Sequence, residues 1–298
     1  MDNFDGKLAV ITGAGDGMGR SLAVQLAGEG AHLALCDVFS ETLAETKRLC
    51  LQAALDNRSE SKVSVHHCDV GIEADLIRFR DEALAEHETS SINLLFNNAG
   101  IGGGGSLVTD SRQVWERTFD VCWGGVYWGT RAFLDALIAA DEALIVNTSS
   151  VNGFWASLGP SRPHTAYSAA KFAVKGFTEA LISDLALNAP HVKVAVVMPG
   201  HIGTGIAGNS ALVHAADGVH IDPGAAEQGA AFRNSAPTTA GEAATAILDS
   251  LRAGQWRILI GEDAHVIDME VRQDPESAYE PGFLQRLGSH LQSLITDK

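Results

Sequence analysis

Tyr167 and Lys171 stand four residues apart within a stretch, Ala166–Leu187, whose pattern predicts a helix. That spacing brings both side chains to one helix face. A free phenol has a pKa of about 10 and is a poor base near neutrality. A neighbouring ammonium favours the phenolate, so the pair suits proton transfer. Tyr167 would take the proton of an alcohol as hydride leaves its carbon, and would give it back in reverse. Ser149 and Ser150 follow the apolar run Ala143–Thr148. Ligands of parallel sheets sit beyond the carboxyl ends of the strands, so Ser150 stands where a hydroxyl can bond a substrate oxygen.

A second constellation lies near the start of the chain. After the apolar run Lys7–Thr12 comes Gly13-Ala14-Gly15-Asp16-Gly17-Met18-Gly19, and then a helical pattern over Arg20–Glu29. Glycines between a strand and a helix let the backbone turn sharply and approach a pyrophosphate, which the helix amino terminus then attracts. The spacing is Gly13-x-x-x-Gly17-x-Gly19, which differs from the common G-x-G-x-x-G dinucleotide motif. Asp37 closes the second apolar run, where a carboxylate can accept both ribose hydroxyls of NAD and would repel the 2′-phosphate of NADP. Asp16 adds negative charge in the same turn. NAD is therefore the expected cofactor, and its positive nicotinamide ring would also favour the phenolate of Tyr167.

Seven strand-length apolar runs are spaced to position these groups: Lys7–Thr12, Ala31–Cys36, Val63–His67, Asn93–Phe96, Ala143–Thr148, Lys193–Val197 and Arg257–Ile260. Amphipathic stretches such as Ser40–Asp56 and Glu73–His87 lie between them. This alternation predicts an α/β fold: a Rossmann-type, doubly wound, seven-stranded parallel sheet with helices on both faces, in a single domain. Residues 1–261 would form the dinucleotide-binding and catalytic unit, with 203–237, which shows no clear period, as a substrate lid. Residues 262–298 read as a polar extension packed on the same domain, ending in a helix-like stretch, Phe283–Ile295.

Bulk properties exclude other classes. The net charge of −16, from 21 basic and 37 acidic residues, opposes binding to phosphate backbones, so no nucleic-acid partner is expected. No apolar run approaches the roughly 20 residues of a membrane helix, and no signal peptide is visible. The four cysteines, Cys36, Cys50, Cys68 and Cys122, lack C-x-x-C spacing, which fits a reducing, cytoplasmic setting. His201, His214 and His220 lack tight ligand spacing, so no metal is expected.

Together these motifs resemble the short-chain dehydrogenase/reductase family, in its single-domain branch, over about residues 5–260. The matching pieces are the Thr12–Gly19 turn, Asp37, Asp69-Val70, Asn97-Asn98-Ala99-Gly100, Ser150, Tyr167 with Lys171, and Pro199-Gly200-x-x-x-Thr204. The resemblance implies a hydride-transferring oxidoreductase with Ser150, Tyr167 and Lys171 as its catalytic residues. Gly13, Asp16, Gly17, Met18 and Gly19 would line the pyrophosphate, Asp37 and Val38 the adenosine ribose, and Asp69 and Val70 the adenine. Asn98, Ala99 and Gly100 would lie along the cofactor. Tyr167 and Lys171 would reach the nicotinamide ribose, and Pro199, Gly200, Ile202 and Thr204 the nicotinamide.

The family's helix asparagine is replaced by Cys122, and a thiol is a weak donor and acceptor. Cys122 then joins the catalytic set through an adjusted proton relay or is a packing substitution; both readings stand. The stretch from Ser150 to Tyr167 is longer than is common in the family, and its surplus falls in Phe154–His164. Phe154, Trp155 and Ile206, with Leu158, Leu212 and Val213, would contact a hydrophobic secondary alcohol or ketone. Arg162 and His164 read as surface residues. The alternatives are an NADH-dependent ketone reductase and an NAD-sensing protein that has lost its chemistry; only Cys122 favours the second. The resemblance also implies a homodimer or homotetramer, through the helices Gln113–Leu137 and Ala166–Leu187 with Trp123, Trp128, Phe172 and Phe177.

Overall fold

The computed structural model describes residues 1, 3–157, 162–220 and 222–288. Seven parallel strands form one sheet: β1 Leu8–Thr12, β2 His32–Asp37, β3 Val63–His67, β4 Leu94–Asn97, β5 Ala143–Thr148, β6 Val192–Pro199 and, leaving two short strands aside, β9 Arg257–Ile260. Their order is β3-β2-β1-β4-β5-β6-β9. The chain reverses direction across the sheet between β1 and β4, which opens a crevice at the carboxyl ends of those strands. The fold is the expected doubly wound α/β architecture.

The strands are apolar because both faces are covered. Ala9 and Ile11 of β1 face the helices α1 Gly17–Gly28, α2 Ser40–Asn57 and α9 Ala240–Arg252. Leu8 and Val10 face α3 Glu73–Glu86, α5 Gly125–Ile138 and α6 Thr165–Asn188. Helix α9 begins in a reciprocal cap: Thr239 Oγ1 accepts from Glu242 N–H at 3.2 Å, and Glu242 accepts from Thr239 N–H at 2.8 Å. Its Ala243, Ala244, Ile247, Leu248 and Leu251 are buried in the first of these clusters.

Three stretches differ from the sequence expectation. The single helix expected over Gln113–Leu137 is α4 Arg112–Phe119 joined to α5 by a π-helical turn, Asp120–Gly124, which carries Cys122. Residues 203–237 hold two helices, α7 Ile206–Ala216 and α8 Ala225–Asn234; short strands β7 Ile202–Gly203 and β8 Thr238–Thr239 pair across their base. Their alanines and glycines give little amphipathic contrast, which hid the period. The extension begins with α10 Glu262–Gln273, whose buried Ala264, Val266 and Ile267 were masked by polar neighbours. The helix-like stretch expected at Phe283–Ile295 lies outside the described residues beyond position 288.

A third apolar cluster joins this extension to the segment after β5. Ala264, Val266, Ile267, Ala278, Phe283 and Leu287 enclose Val151 and Trp155.

Candidate active site

The glycine turn is built by close backbone approach. Gly13 has φ +66°, and a side chain there would place its Cβ 2.7 Å from Ala99 Cα. A Cβ on Gly19 would collide with the Gly13 carbonyl. Thr12 Oγ1 accepts from Asn98 N–H at 3.0 Å and Ala99 N–H at 3.1 Å, and Asn98 Nδ2 donates to Thr12 O at 3.0 Å. The end of β4 is thereby fixed to the end of β1. Thr204 lies over Gly17, where an added Cβ would stand 3.0 Å from its side chain. The turn, the 98–100 loop and the 199–204 loop therefore converge. Asp16, at the amino end of α1, makes no capping bond to that helix. The first-turn N–H groups and bare glycine backbone form a cradle suited to a pyrophosphate.

Asp37 stands at the tip of β2. Its carboxylate accepts from Gly15 N–H at 2.8 Å and Phe39 N–H at 3.0 Å. Burial pushes its carboxyl above the usual range, against the pull of those N–H groups. Arg20 reaches the same turn, but its guanidinium donates to the carbonyls of Gly15 and Thr42 and to Thr46 Oγ1. Val38 and Met18 are partly buried against the two cores.

Two carboxylates carry contacts that the sequence did not show. Asp16 is paired with Arg233 of α8 at 2.6 Å and accepts from Asn209 Nδ2 at 3.2 Å. Asp69 accepts from both terminal nitrogens of Arg117, at 3.0 and 2.5 Å, and Arg117 also reaches Asp217 after α7 at 3.0 Å. Val70 is buried against Gly125, the first residue of α5.

Ser150, Tyr167 and Lys171 gather beyond the carboxyl end of β5. Ser150, just beyond β5, accepts from Asn152 N–H at 3.1 Å. Lys171 is 2% exposed; its Nζ donates to Thr148 O at 2.8 Å and lies 5.3 Å from the centre of the Tyr167 ring. Burial raises the Tyr167 phenol, and the Ser150 hydroxyl opposes this rise. Burial lowers the Lys171 ammonium. Both shifts favour neutral groups, so a phenolate here depends on added positive charge at the site.

Cys122 is fully buried, and its Sγ donates to Ile101 O at 3.1 Å. Burial raises its thiol, against the pull of Lys171. Gly100 lies between these two groups: a Cβ there would be 3.5 Å from Lys171 Nζ and 3.7 Å from Cys122 Sγ. Pro199 ends β6, and Gly200 lies against Asp263, which accepts from His201 N–H at 2.6 Å. Ile202 is buried in the first core, and Ile206 begins α7.

Two residues expected on the substrate wall pack toward the C-terminal extension. Trp155 is 5% exposed within the third cluster; its indole N–H donates to Ala278 O at 2.9 Å, and its ring lies 5.3 Å from that of Phe283. Phe154 packs against the same cluster beneath Arg257. Both rings serve contacts with the C-terminal extension, which no local pattern could foretell. Leu158 falls outside the described residues. His164, read as a surface residue, is half-buried with its ring 4.6 Å from the ring of Tyr167. Burial draws its pKa down to about 4. Its position three residues before Tyr167 was the available signal.

Comparison with known proteins agrees with this geometry. A profile of the family described as short chain dehydrogenase matches residues 7–212, and the chain belongs to that family. The SadH protein of Mycobacterium tuberculosis is 37% identical over 274 residues, covering 91% of this chain and 92% of its own. Epidermal retinol dehydrogenase 2 of Mus musculus is 35% identical over 205 residues, 68% of this chain and 63% of its own. Among solved structures, a short chain dehydrogenase/reductase from Burkholderia phymatum in complex with NAD superposes with a TM-score of 0.82 at 32% identity, over 94% of this chain and 98% of that one. A metagenomic short-chain oxidoreductase in complex with NADP is 31% identical, with a TM-score of 0.57 over 66% of this chain and 83% of that one.

Proposed function

We propose that the protein is an NAD-dependent dehydrogenase that oxidises a hydrophobic secondary alcohol to its ketone, with Tyr167 as the acid/base. The observation that carries this reading is the buried Lys171 Nζ, 5.3 Å from the centre of the Tyr167 ring, with Ser150 beyond the end of the neighbouring strand β5. Ser150 and Tyr167 hold the alcohol oxygen. Tyr167 takes its proton, and Lys171 stabilises the phenolate that accepts it. NAD, when bound, supplies the hydride acceptor and positive charge beside the phenol. In the reverse direction Tyr167 protonates the forming alkoxide. Cys122 takes no direct part in this scheme, since its sulfur is committed to Ile101 O.

The cradle of Gly13, Gly17 and Gly19 suits the pyrophosphate, with Asn98, Ala99, Gly100 and Thr204 along the dinucleotide. Relatives solved with NAD and with NADP leave the choice to this chain's own residues. Asp37 presents a carboxylate where a 2′-phosphate would lie, and Arg20 is engaged by backbone carbonyls, so it does not offset that charge. The substrate class is supported by the apolar Ile206, at the start of α7 just after the Thr204 loop, and by the retinol dehydrogenases among the relatives.

Self-association through α5 and α6 completes the reading. Trp123, Tyr127 and Phe177 form a ring cluster there, and Phe172, Ile138 and Ile182 are exposed beside it. Four free cysteines suit a reducing cytoplasm. Among the described residues no helix is long and apolar enough to cross a membrane.

The test is initial-rate measurement with a panel of secondary alcohols and retinol, using NAD⁺ or NADP⁺. The expected result is a kcat/KM at least about 100-fold higher with NAD⁺, because like charges at Asp37 cost several kcal/mol. Equal rates with both cofactors overturn the assignment of Asp37. No turnover of any secondary alcohol or ketone in either direction overturns the substrate class.

A further inference from the structure

The segment after Ser150 is tied to the C-terminal extension by a continuous run of hydrogen bonds. Tyr279 Oη accepts from Ala156 N–H at 3.1 Å. The indole of Trp155 donates to Ala278 O at 2.9 Å and lies 5.3 Å from the Phe283 ring. Ala278 and Phe283 are each 1% exposed, so this anchor is dry and well packed. The buried Asn152 side chain then donates to the carbonyls of Trp155, at 3.0 Å, and Ser157, at 3.1 Å. The Asn152 backbone N–H donates to Ser150 Oγ at 3.1 Å, and the Ser150 hydroxyl in turn lowers the pKa of the Tyr167 phenol.

The direction of these bonds matters. A hydroxyl that accepts from a fixed N–H has its own proton left to donate elsewhere. Asn152 N–H therefore leaves the Ser150 O–H available to donate to the phenol, where a hydrogen bond favours the phenolate. Asn152 keeps that placement only while the carbonyls of Trp155 and Ser157 hold its amide. Those carbonyls lie on a segment whose outer side is gripped by Trp155 and Tyr279. The opposite side of the segment is fixed too: Gly153 packs directly on the Lys171 carbonyl, and Ser149 Oγ donates to that carbonyl at 2.7 Å.

We propose that residues 262–288 are a working part of the active site, in which Trp155 and Tyr279 act as positioning residues that hold Asn152, and through it Ser150, in the orientation Tyr167 needs. The matched family region ends at residue 212, so this buttress belongs to sequence the family profile leaves uncovered. The inference rests on the reading of Ser150 and Tyr167 given above. It adds that the tail sets the turnover rate and the acidity of the phenol while leaving the dinucleotide cradle alone.

The test uses Tyr279→Phe and Trp155→Phe in the full-length protein, each also combined with Ser150→Ala. Tyr279 is 59% exposed and loses only a hydroxyl, so its variant folds even if Trp155→Phe does not. Turnover of the fastest panel alcohol should fall about 2- to 5-fold in Tyr279→Phe and about 10-fold in Trp155→Phe, the scale of one lost or loosened hydrogen bond. The rising limb of the kcat–pH profile should move to higher pH, and NADH affinity should stay within about 2-fold of the parent's. In the Ser150→Ala background both penalties should shrink to less than about 2-fold, because the tail acts through Ser150. Amides of residues 150–157 should exchange faster in both single variants.

Penalties that multiply independently of Ser150, an unmoved pH limb, or unchanged exchange at 150–157 overturn the proposal. Should Tyr167→Phe itself retain full turnover, the underlying acid/base reading fails instead. Loss of rate in Tyr167→Phe with none in the tail variants sinks only the buttress.

Discussion

The glycine turn and the α7–α8 helices meet at Asp16, and they are held in opposite ways. The turn is fixed by backbone: Gly13 against Ala99, Gly19 against the Gly13 carbonyl, and Thr12, 2% exposed, bonding two successive N–H groups of the 98–99 stretch. The helices are fastened by side chains, most of them half-exposed: Arg233 to Asp16, Arg117 to Asp217, Gln113 to Asp217 O, and the buried His214 to Gly102 O. Half-exposed ion pairs contribute only about 0–1 kcal/mol each. The turn is therefore the more firmly held of the two regions, and the half-exposed ties of α7 and α8 are the easier ones to loosen.

Variants on either side should sharpen this contrast. The largest effect is expected at the rigid acid/base group. Ser150→Ala should lower kcat by about 10²–10³, the cost of one donor to the reacting oxygen. It should also shift the pH profile. The Ser150 hydroxyl lowers the Tyr167 pKa, so its loss raises that pKa and moves the rising limb of alcohol oxidation to higher pH. A kcat–pH series reads both.

Gly19→Ala comes next. The added methyl has no room against the Gly13 carbonyl, so NADH affinity should fall at least about 100-fold in a fluorescence titration. Unchanged affinity would show that the turn yields as easily as the lid. On the latched side, Arg233→Ala should raise KM only about 2- to 5-fold and leave kcat near the parent's, because an exposed pair is lost. A large fall in kcat would place Arg233 in the rigid region instead.

The smallest effect concerns stability at His164. Its folded pKa of about 4 lies below the ordinary value of 6.5. Above pH 6.5 both folded and unfolded states are neutral there. As pH falls toward 4, the unfolded chain takes a proton that the folded site refuses, so stability drops, by something on the order of 1 kcal/mol for a partly exposed ring. His164→Phe should therefore lose less Tm than the parent between pH 7 and about 4.5. Parallel loss in both proteins would mean the ring is solvated.

The same contrast explains what was legible in the sequence. The strands, the glycine turn and the Tyr167–Lys171 pair are written in contiguous residues with fixed spacing. All seven apolar runs are strands of one parallel sheet. The lid helices were not legible, because Ala207, Gly208 and Ala215 give α7 no contrasting faces, and its anchors, Ser210 and His214, reach Gly102 from far along the chain. The packing of Trp155 was not legible because an aromatic residue in a loop beside Ser150 looks the same whether it faces a ligand or a distant tail. Its partner, Ala278, is 123 residues away. The π turn at Cys122 was equally hidden, since it interrupts a helix whose apolar pattern continues on both sides.

The central claim is that the Tyr167 phenol moves the proton. Its most direct test is the steady-state rate of Tyr167→Phe with NAD⁺ and the fastest alcohol, alongside NADH titration of the same protein. The account predicts a fall in kcat of at least about 10³-fold with NADH affinity kept within about 3-fold. A variant that binds NADH and turns over at the parent's rate would contradict it.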